Sequence, residues 1–282
     1  MKSKKIGVCG AGIMGNGIAQ VCVVSGFSVV MYDISEKMLE KGMAVIKKNL
    51  YREVEKGKRE ASDAESILAR IIPTSDIGAL MDRDAVIEAV CENVEIKKSL
   101  FKKLDETCKP ETYFITNTSS LSVTEIASVT KRPEKVVGIH FFNPVPVMKL
   151  VEVIKGCCTS AEVFSEAMTM AADIGKEPIA VEEAPLFAVN RILVPMINEA
   201  FFVLQEGIAS AEDIDKGLMM GANHPIGPLA LADLIGLDTL YEVINTLYTE
   251  TGDSKYRPAT LMKKLVRAGK YGRKTGEGVY QY

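Results

Sequence analysis

At 282 residues, with 47% hydrophobic and 25% charged side chains, the chain suits one or two globular domains with ample core, not a disordered or fibrous protein. Its formal net charge of −3 leaves no electrostatic footprint for nucleic acid or an acidic membrane surface. No apolar run approaches the ~18 residues of a membrane span, and two histidines without metal-ligand spacing elsewhere give no reason to expect a metal.

The opening Met1-Lys-Ser-Lys-Lys5 enters an apolar strand pattern at once, leaving no room for a signal-peptide core, and a cytoplasmic protein is expected. Gly10-x-Gly12-x-x-Gly15 follows the strand, and an apolar helical pattern continues through Ile18, Val21 and Cys22. In a strand–turn–helix phosphate site, Gly10 permits the tight turn, Gly12 admits a pyrophosphate to the backbone, and Gly15 allows close helix–strand packing. The helix start then directs unpaired N–H groups and the positive end of its dipole at the anion. A second strand over Phe27–Asp33 ends in a carboxylate 21 residues after Gly12, where it can hold a ribose hydroxyl and repel a 2′-phosphate. Together these features predict dinucleotide binding, with NAD favoured over NADP.

Ser35 is the expected N-cap of a long amphipathic helix from Glu36 to about Lys58, with Leu39, Met43, Ile46, Leu50 and Val54 on one face. Its other face carries Lys47, Lys48, Arg52, Lys56 and Lys58, a pattern that simple solvation also explains. A shorter helix is expected over Asp63–Ile72, ended by Pro73. Strands follow at Asp84–Val90, Tyr113–Asn117, Val136–His140, Leu150–Ile154 and Glu177–Val181, separated by helices at Glu95–Cys108, Val123–Val129 and Ala161–Gly175. This alternation predicts an α/β fold with a doubly wound, mostly parallel sheet, in which ligands sit beyond the carboxyl ends of the strands. Glu92, Ser119, Ser120, His140 and Asn143 fall at such ends. Six cysteines (Cys9, Cys22, Cys91, Cys108, Cys157, Cys158) show no C-x-x-C spacing, and the first three lie in apolar runs, so reduced and buried thiols are expected.

From about Ala184 the strand pattern stops. Helices are expected at Phe187–Gln205, Ala211–Gly221, Pro228–Thr249 and Ala259–Ala268, with Ser210 and Asp213 as a capping start. The first of these is apolar on nearly every side, more surface than about 100 residues can cover. A second domain that is all-helical and dimerises is the reading, with domains at 1–184 and 185–282.

Among residues able to do chemistry, His140 ends a buried strand, and Glu152 is a lone carboxylate inside Leu150-Val-Glu-Val-Ile154. A glutamate there is costly to bury without a partner, and a histidine that transfers protons is usually oriented by a carboxylate, so the two are paired. Alone, a histidine in such a strand is by default a hydrogen-bonded core residue. Asn117-Thr-Ser-Ser120 is either a turn or a source of hydroxyls, and Asn190-Arg191 either caps a helix or joins the site. His224, in an Asn-His-Pro turn, reads as structural.

The chain resembles the L-3-hydroxyacyl-CoA dehydrogenases over essentially its whole length. The resemblance rests on Gly10-Ala-Gly-Ile-Met-Gly15, Asn117-Thr-Ser-Ser-Leu-Ser122, His140-Phe-Phe-Asn-Pro-Val-Pro-Val-Met-Lys-Leu150, Asn190-Arg191 and Gly272-Arg-Lys-Thr-Gly-Glu-Gly278. It implies a Rossmann-type NAD-binding domain followed by a helical dimerisation domain, in a homodimer or larger homo-oligomer. It also implies interconversion of short-chain 3-hydroxyacyl-CoA and 3-oxoacyl-CoA. Ser119, His140, Glu152 and Asn190 are the implied active site; Asp33, Glu92, Lys97, Ser119, Asn143 and Lys274, with the glycine turn, are the implied cofactor contacts. Coenzyme A contacts reach the long basic helix, where Lys56 matches best, and Ser119 and Asn190 are placed against the acyl group. A histidine titrates near neutrality and can take the hydroxyl proton as hydride leaves, while a glutamate selects its tautomer. Two positions depart from the family pattern: Leu186 stands where glycine is usual and would be strained if the backbone is left-handed there, and Val279 replaces an aromatic. Two other readings stay open: a related dehydrogenase of small hydroxy acids without coenzyme A, which the basic helix disfavours, and a dinucleotide-binding structural or sensor protein, which the intact Ser119, His140, Glu152 and Asn190 disfavour.

Overall fold

The structure, a computed structural model, describes residues 5–282. Residues 1–4, on which the expectation of no signal-peptide core partly rests, lie outside the described residues. The chain divides into two compact units, one ending at Glu183 and one spanning Ala184–Tyr282.

In the first unit the strands are β1 (Lys5–Cys9), β2 (Ser28–Tyr32), β3 (Ile71–Thr74), β4 (Ala85–Glu88), β5 (Tyr113–Thr116), β6 (Val136–Phe141), β7 (Leu150–Lys155) and β8 (Glu177–Glu182). Between them run α1 (Ile13–Val24), α2 (Glu36–Glu55), α3 (Ala61–Leu68), α4 (Val94–Thr107), α5 (Val123–Ala127) and α6 (Ala161–Asp173). The described residues form one eight-stranded sheet in the order β3-β2-β1-β4-β5-β6-β7-β8. Every neighbouring pair is parallel except β6 with β7. The doubly wound, mostly parallel sheet is therefore present, and its order reverses at β1, between β2 and β4. A crevice forms beyond strand ends at such a reversal. Apolar residues of the strands, such as Ile6, Val8, Ile87 and Ile115, pack with Ile18, Ile46 and Leu50 of the helices into one core.

The expected cap Ser35 holds, accepting a backbone N–H in the first turn of α2, and Asn93, Ser122 and Ser160, which the sequence reading did not single out, do the same for α4, α5 and α6. The helix expected over Asp63–Ile72 does not hold. It stops at Leu68, and Ile71–Thr74 pairs with β2 as the edge strand β3. An edge strand tolerates Pro73, which has no N–H to donate, so the proline expected as a helix stop lies inside a strand.

The second unit is helical: α7 (Val189–Gln205), α8 (Ala211–Gly221), α9 (Pro228–Ile235), α10 (Leu237–Thr251) and α11 (Thr260–Arg267). The single helix expected over Pro228–Thr249 is two, broken at Gly236 with φ of +100°. There the Leu237 N–H leaves the helical pattern and donates to the Tyr271 carbonyl. Helix α7 buries one face through Val194, Ile197, Ala200 and Phe201, while Ile192 is 73% exposed. The cysteine expectation holds for Cys9, Cys22 and Cys108 and fails for Cys91, Cys157 and Cys158, which are exposed. Cys91 lies beyond the end of β4 and the other two in the turn after β7, where the chain has left the sheet.

The closest backbone approach in the crevice is at the glycine turn. A Cβ on Gly15 would sit 1.8 Å from the Gly10 carbonyl oxygen, and Gly10 itself has φ of +100°. Gly15→Ala is therefore expected to force α1 off β1 and cost about 1–3 kcal/mol, read as a lower urea midpoint. An unchanged midpoint would show that the contact is not tight.

Candidate active site

The crevice begins where β1 ends. Gly12 is the N-cap of α1 with no side-chain cap, and a Cβ there would have nothing within 4 Å, so open space adjoins the unpaired N–H groups of the helix start. Asp33, just past β2, accepts the Ala11 N–H (2.9 Å) and the Ser35 N–H (2.9 Å), tying the second strand end to the turn. Gly10, Gly12 and Asp33 line one cavity of about 590 Å³, together with Ile34, Cys91 and Ile96. Gly15 lies beneath it as the packing contact.

Beyond β4 and β5 the chain builds a buried polar network. The Lys97 ammonium is fully buried and meets Glu88 at 2.6 Å and Glu92 at 3.2 Å. Glu88, also fully buried, accepts in addition from the Thr116 hydroxyl (2.7 Å) and the Val90 N–H (2.8 Å). Glu92 Oε1 accepts from the Thr118 hydroxyl (2.5 Å), the Ser119 N–H (2.8 Å) and the Ser120 N–H (3.2 Å). Burial works against ionisation of Glu92, but Lys97 and these donors outweigh it and hold the carboxyl below its usual value. Ser119, half-buried, is thus fixed by the network through its backbone, with its own hydroxyl 3.4 Å from the same carboxylate oxygen. Glu88 was missed in the sequence, although a lone carboxylate in Ala85-Val-Ile-Glu-Ala-Val90 is the same signal that singled out Glu152.

Next along the sheet edge, His140 and Glu152 are direct cross-strand partners in the antiparallel register of β6 and β7. The imidazole Nδ1 lies 2.7 Å from Glu152 Oε2, with the glutamate wholly buried and the histidine nearly so. The Asn117 side chain accepts the Phe141 N–H (3.0 Å) and so ties the end of β5 to the end of β6. Asn143 is exposed in the loop after β6. That loop, through Pro144, Pro146 and Val147, walls a second cleft of about 470 Å³, whose other lining includes Gln20, Asn49, Arg52, Lys56 and Lys58.

Asn190 and Lys274 belong to the second unit. Asn190 is half-buried in the first turn of α7, and Lys274 is ion-paired with Asp238 at 2.5 Å. Arg191 lies over the Tyr256 ring, 4.7 Å from its centroid. Leu186 has φ of +63° and Phe187 of +58°, so leucine does occupy left-handed backbone, at a cost of roughly 1–2 kcal/mol that its complete burial offsets. Among the described residues no group of three or more candidate metal ligands exists. No helix among them is long and apolar enough to cross a membrane.

Comparison with known proteins shows the family. Residues 5–184 match the 3-hydroxyacyl-CoA dehydrogenase NAD-binding domain, and residues 187–282 match the 3-hydroxyacyl-CoA dehydrogenase C-terminal domain. A 3-hydroxybutyryl-CoA dehydrogenase of Clostridioides difficile is 50% identical over 278 residues, covering 99% of each chain. Human mitochondrial hydroxyacyl-coenzyme A dehydrogenase is 40% identical over 99% of this chain and 91% of its own. The crystal structure of (S)-3-hydroxybutyryl-CoA dehydrogenase from Ralstonia eutropha superposes with a TM-score of 0.98 at 50% identity, covering 100% of this chain and 99% of that one.

The network around Lys97 generates a stability prediction. Lys97→Met leaves buried carboxylates without their cation and should cost about 3–5 kcal/mol in denaturant unfolding at neutral pH. Because the Glu92 carboxyl is held low, its contribution is complete above the ordinary glutamate value of ~4.3 and is lost as pH falls through the lower folded value. The gap between the two proteins should therefore narrow in acid; a gap that widens there would contradict the network.

Proposed function

The chain belongs to the 3-hydroxyacyl-CoA dehydrogenase family, and we propose that it is a 3-hydroxybutyryl-CoA dehydrogenase: a cytoplasmic, NAD-dependent enzyme interconverting (S)-3-hydroxyacyl-CoA and 3-oxoacyl-CoA of short chain. The observation that carries the reading is the buried contact of His140 with Glu152 on the same sheet edge as the glycine turn.

The residues present fit the dinucleotide. The open space at Gly12 suits a pyrophosphate on the helix start, and Asp33, held by Ala11 and Ser35, suits a ribose diol while disfavouring a 2′-phosphate. When bound, NAD supplies the hydride acceptor, or NADH the donor in the reverse direction. The protein supplies the proton and the positioning. Glu152 receives Nδ1–H, which selects the tautomer in which Nε2 takes the C3 hydroxyl proton, and it stabilises the imidazolium that results. In reduction the same nitrogen returns the proton. Ser119, set by Glu92, hydrogen-bonds the substrate oxygen; Asn143 serves the cofactor, and Lys97, sealed between Glu88 and Glu92, serves it only through Glu92. For Asn190 and Lys274 the family resemblance is the support: a hydrogen bond to the substrate and a cofactor contact, respectively. Orientation of this kind accounts for a large share of rate enhancement. Arg52, Lys56 and Lys58 give the second cleft the charge that the phosphates of coenzyme A require.

The exposed apolar surface of α7, including Ile192, supports assembly as a homodimer or larger homo-oligomer.

Two measurements test the reading. His140→Ala should lower kcat about 10²–10⁴-fold with acetoacetyl-CoA while NADH binding is retained; near-normal turnover would sink the mechanism. Light scattering at micromolar concentration should give at least a dimer mass, and a clean monomer would remove the assembly from the proposal.

A further inference from the structure

Lys176 takes no part in the chemistry above, yet it is a buried cation, only 8% exposed. It follows Gly175, which ends α6 in left-handed backbone, and precedes β8. Its ammonium donates to two carbonyl oxygens, those of Val145 and Met148, the latter at 2.7 Å. Among the described residues no carboxylate is paired with it, and the nearby Cys22 thiol, pushed up to about 12 by burial, stays neutral and offers no counter-charge. Burial pushes the Lys176 ammonium toward deprotonation. A charge in that position is retained only where its hydrogen bonds are well made.

Both carbonyls belong to the loop between β6 and β7. The Val147 and Met148 N–H groups both donate to the Pro144 carbonyl, so the loop is one tight turn. Val145 inside it is buried against α1: a Cβ on Gly17 would lie 2.9 Å from the Val145 Cβ. The outer residues of the turn, Pro144, Pro146 and Val147, are exposed and wall the cleft opposite Arg52, Lys56 and Lys58. The loop has no ladder bonds of its own beyond the strand ends, and Lys176 ties it down from below.

We propose that Lys176 is a positioning residue for the acyl-CoA substrate, holding the loop wall at the distance from basic α2 that grips the nucleotide end of coenzyme A. The inference rests on the acyl-CoA reading. It separates two jobs within one loop: the stretch nearest β6 serves the cofactor through Asn143, and the turn held by Lys176 serves the nucleotide end of the substrate.

The test compares acetoacetyl-CoA with acetoacetyl-N-acetylcysteamine, which carries the same thioester without the nucleotide. In Lys176→Met, KM for acetoacetyl-CoA should rise about tenfold, while kcat, KM for NADH and KM for the truncated thioester stay within about twofold, the signature of lost uniform binding. An unchanged KM for acetoacetyl-CoA, or an equal loss with both thioesters, overturns the proposal in favour of a merely structural lysine. Should that variant not fold, Pro146→Gly loosens the same wall and is judged by the same comparison. Equal KM values for the two thioesters in the unaltered protein would instead overturn the acyl-CoA reading, and this inference with it.

Discussion

In a sheet whose other pairs run parallel, the antiparallel pairing of β6 with β7 sets His140 directly across from Glu152. Parallel neighbours would need a crossover and would bring residues of two remote segments to the same edge. The reversal here uses only the short loop between Phe141 and Leu150, so the histidine, its orienting carboxylate and the loop that walls the second cleft come from one continuous stretch. That economy makes the register critical. A slip of one residue would turn Glu152 to the opposite face of the sheet and leave the imidazole opposite Val151 or Val153.

Several buried ionisable groups of this unit are tied to segments beyond the strand ends. Glu88 and Lys97 support Glu92, which gathers the backbone of Ser119 and Ser120; Glu152 orients His140; Lys176 holds Val145 and Met148. Charges are expensive to bury, and replacement by apolar residues of similar volume is often neutral or stabilising for a fold as such. Their positions make sense through the loops they hold, since loops lack the ladder bonds that fix strands.

Much of the fold was legible in the residues because local signals agreed with the tertiary outcome. The glycine turn and the serine caps of α2 and α8 act within a few residues of themselves, and the acid at the end of β2 is marked by its fixed spacing from that turn. Where the reading failed, the deciding contact was remote. Pro73 breaks a helix in isolation, but β2 recruits Ile71–Thr74 as an edge strand where a missing N–H is harmless. Gly236 lies in an unbroken apolar pattern, and its positive φ is tied to the hydrogen bond from Leu237 to Tyr271, more than thirty residues on. Cys91 follows an apolar run that suggests core, yet the strand ends at Glu88 and leaves it exposed. At the site, the types of His140 and Glu152 suggested a pair, whereas no spacing shows that Lys97 is sealed between two glutamates.

Asp33, Glu92 and Glu152 stand at three places along the sheet edge and share a physical role. At the carboxyl end of a parallel sheet the chain turns away, and the N–H groups of the turn lose their ladder partners. A carboxylate is acceptor-only when ionised and has room for several donors, so it can collect those groups. Asp33 takes Ala11 and Ser35, and Glu92 takes the N–H groups of Ser119 and Ser120 with the Thr118 hydroxyl. Glu152 differs in taking an imidazole instead of backbone, and that difference matters for chemistry: an N–H of the main chain stays put, whereas a ring whose one nitrogen is held can still exchange a proton at the other. The first two carboxylates shape the crevice, and the third, in the function proposed above, is what lets the edge of the sheet move a proton.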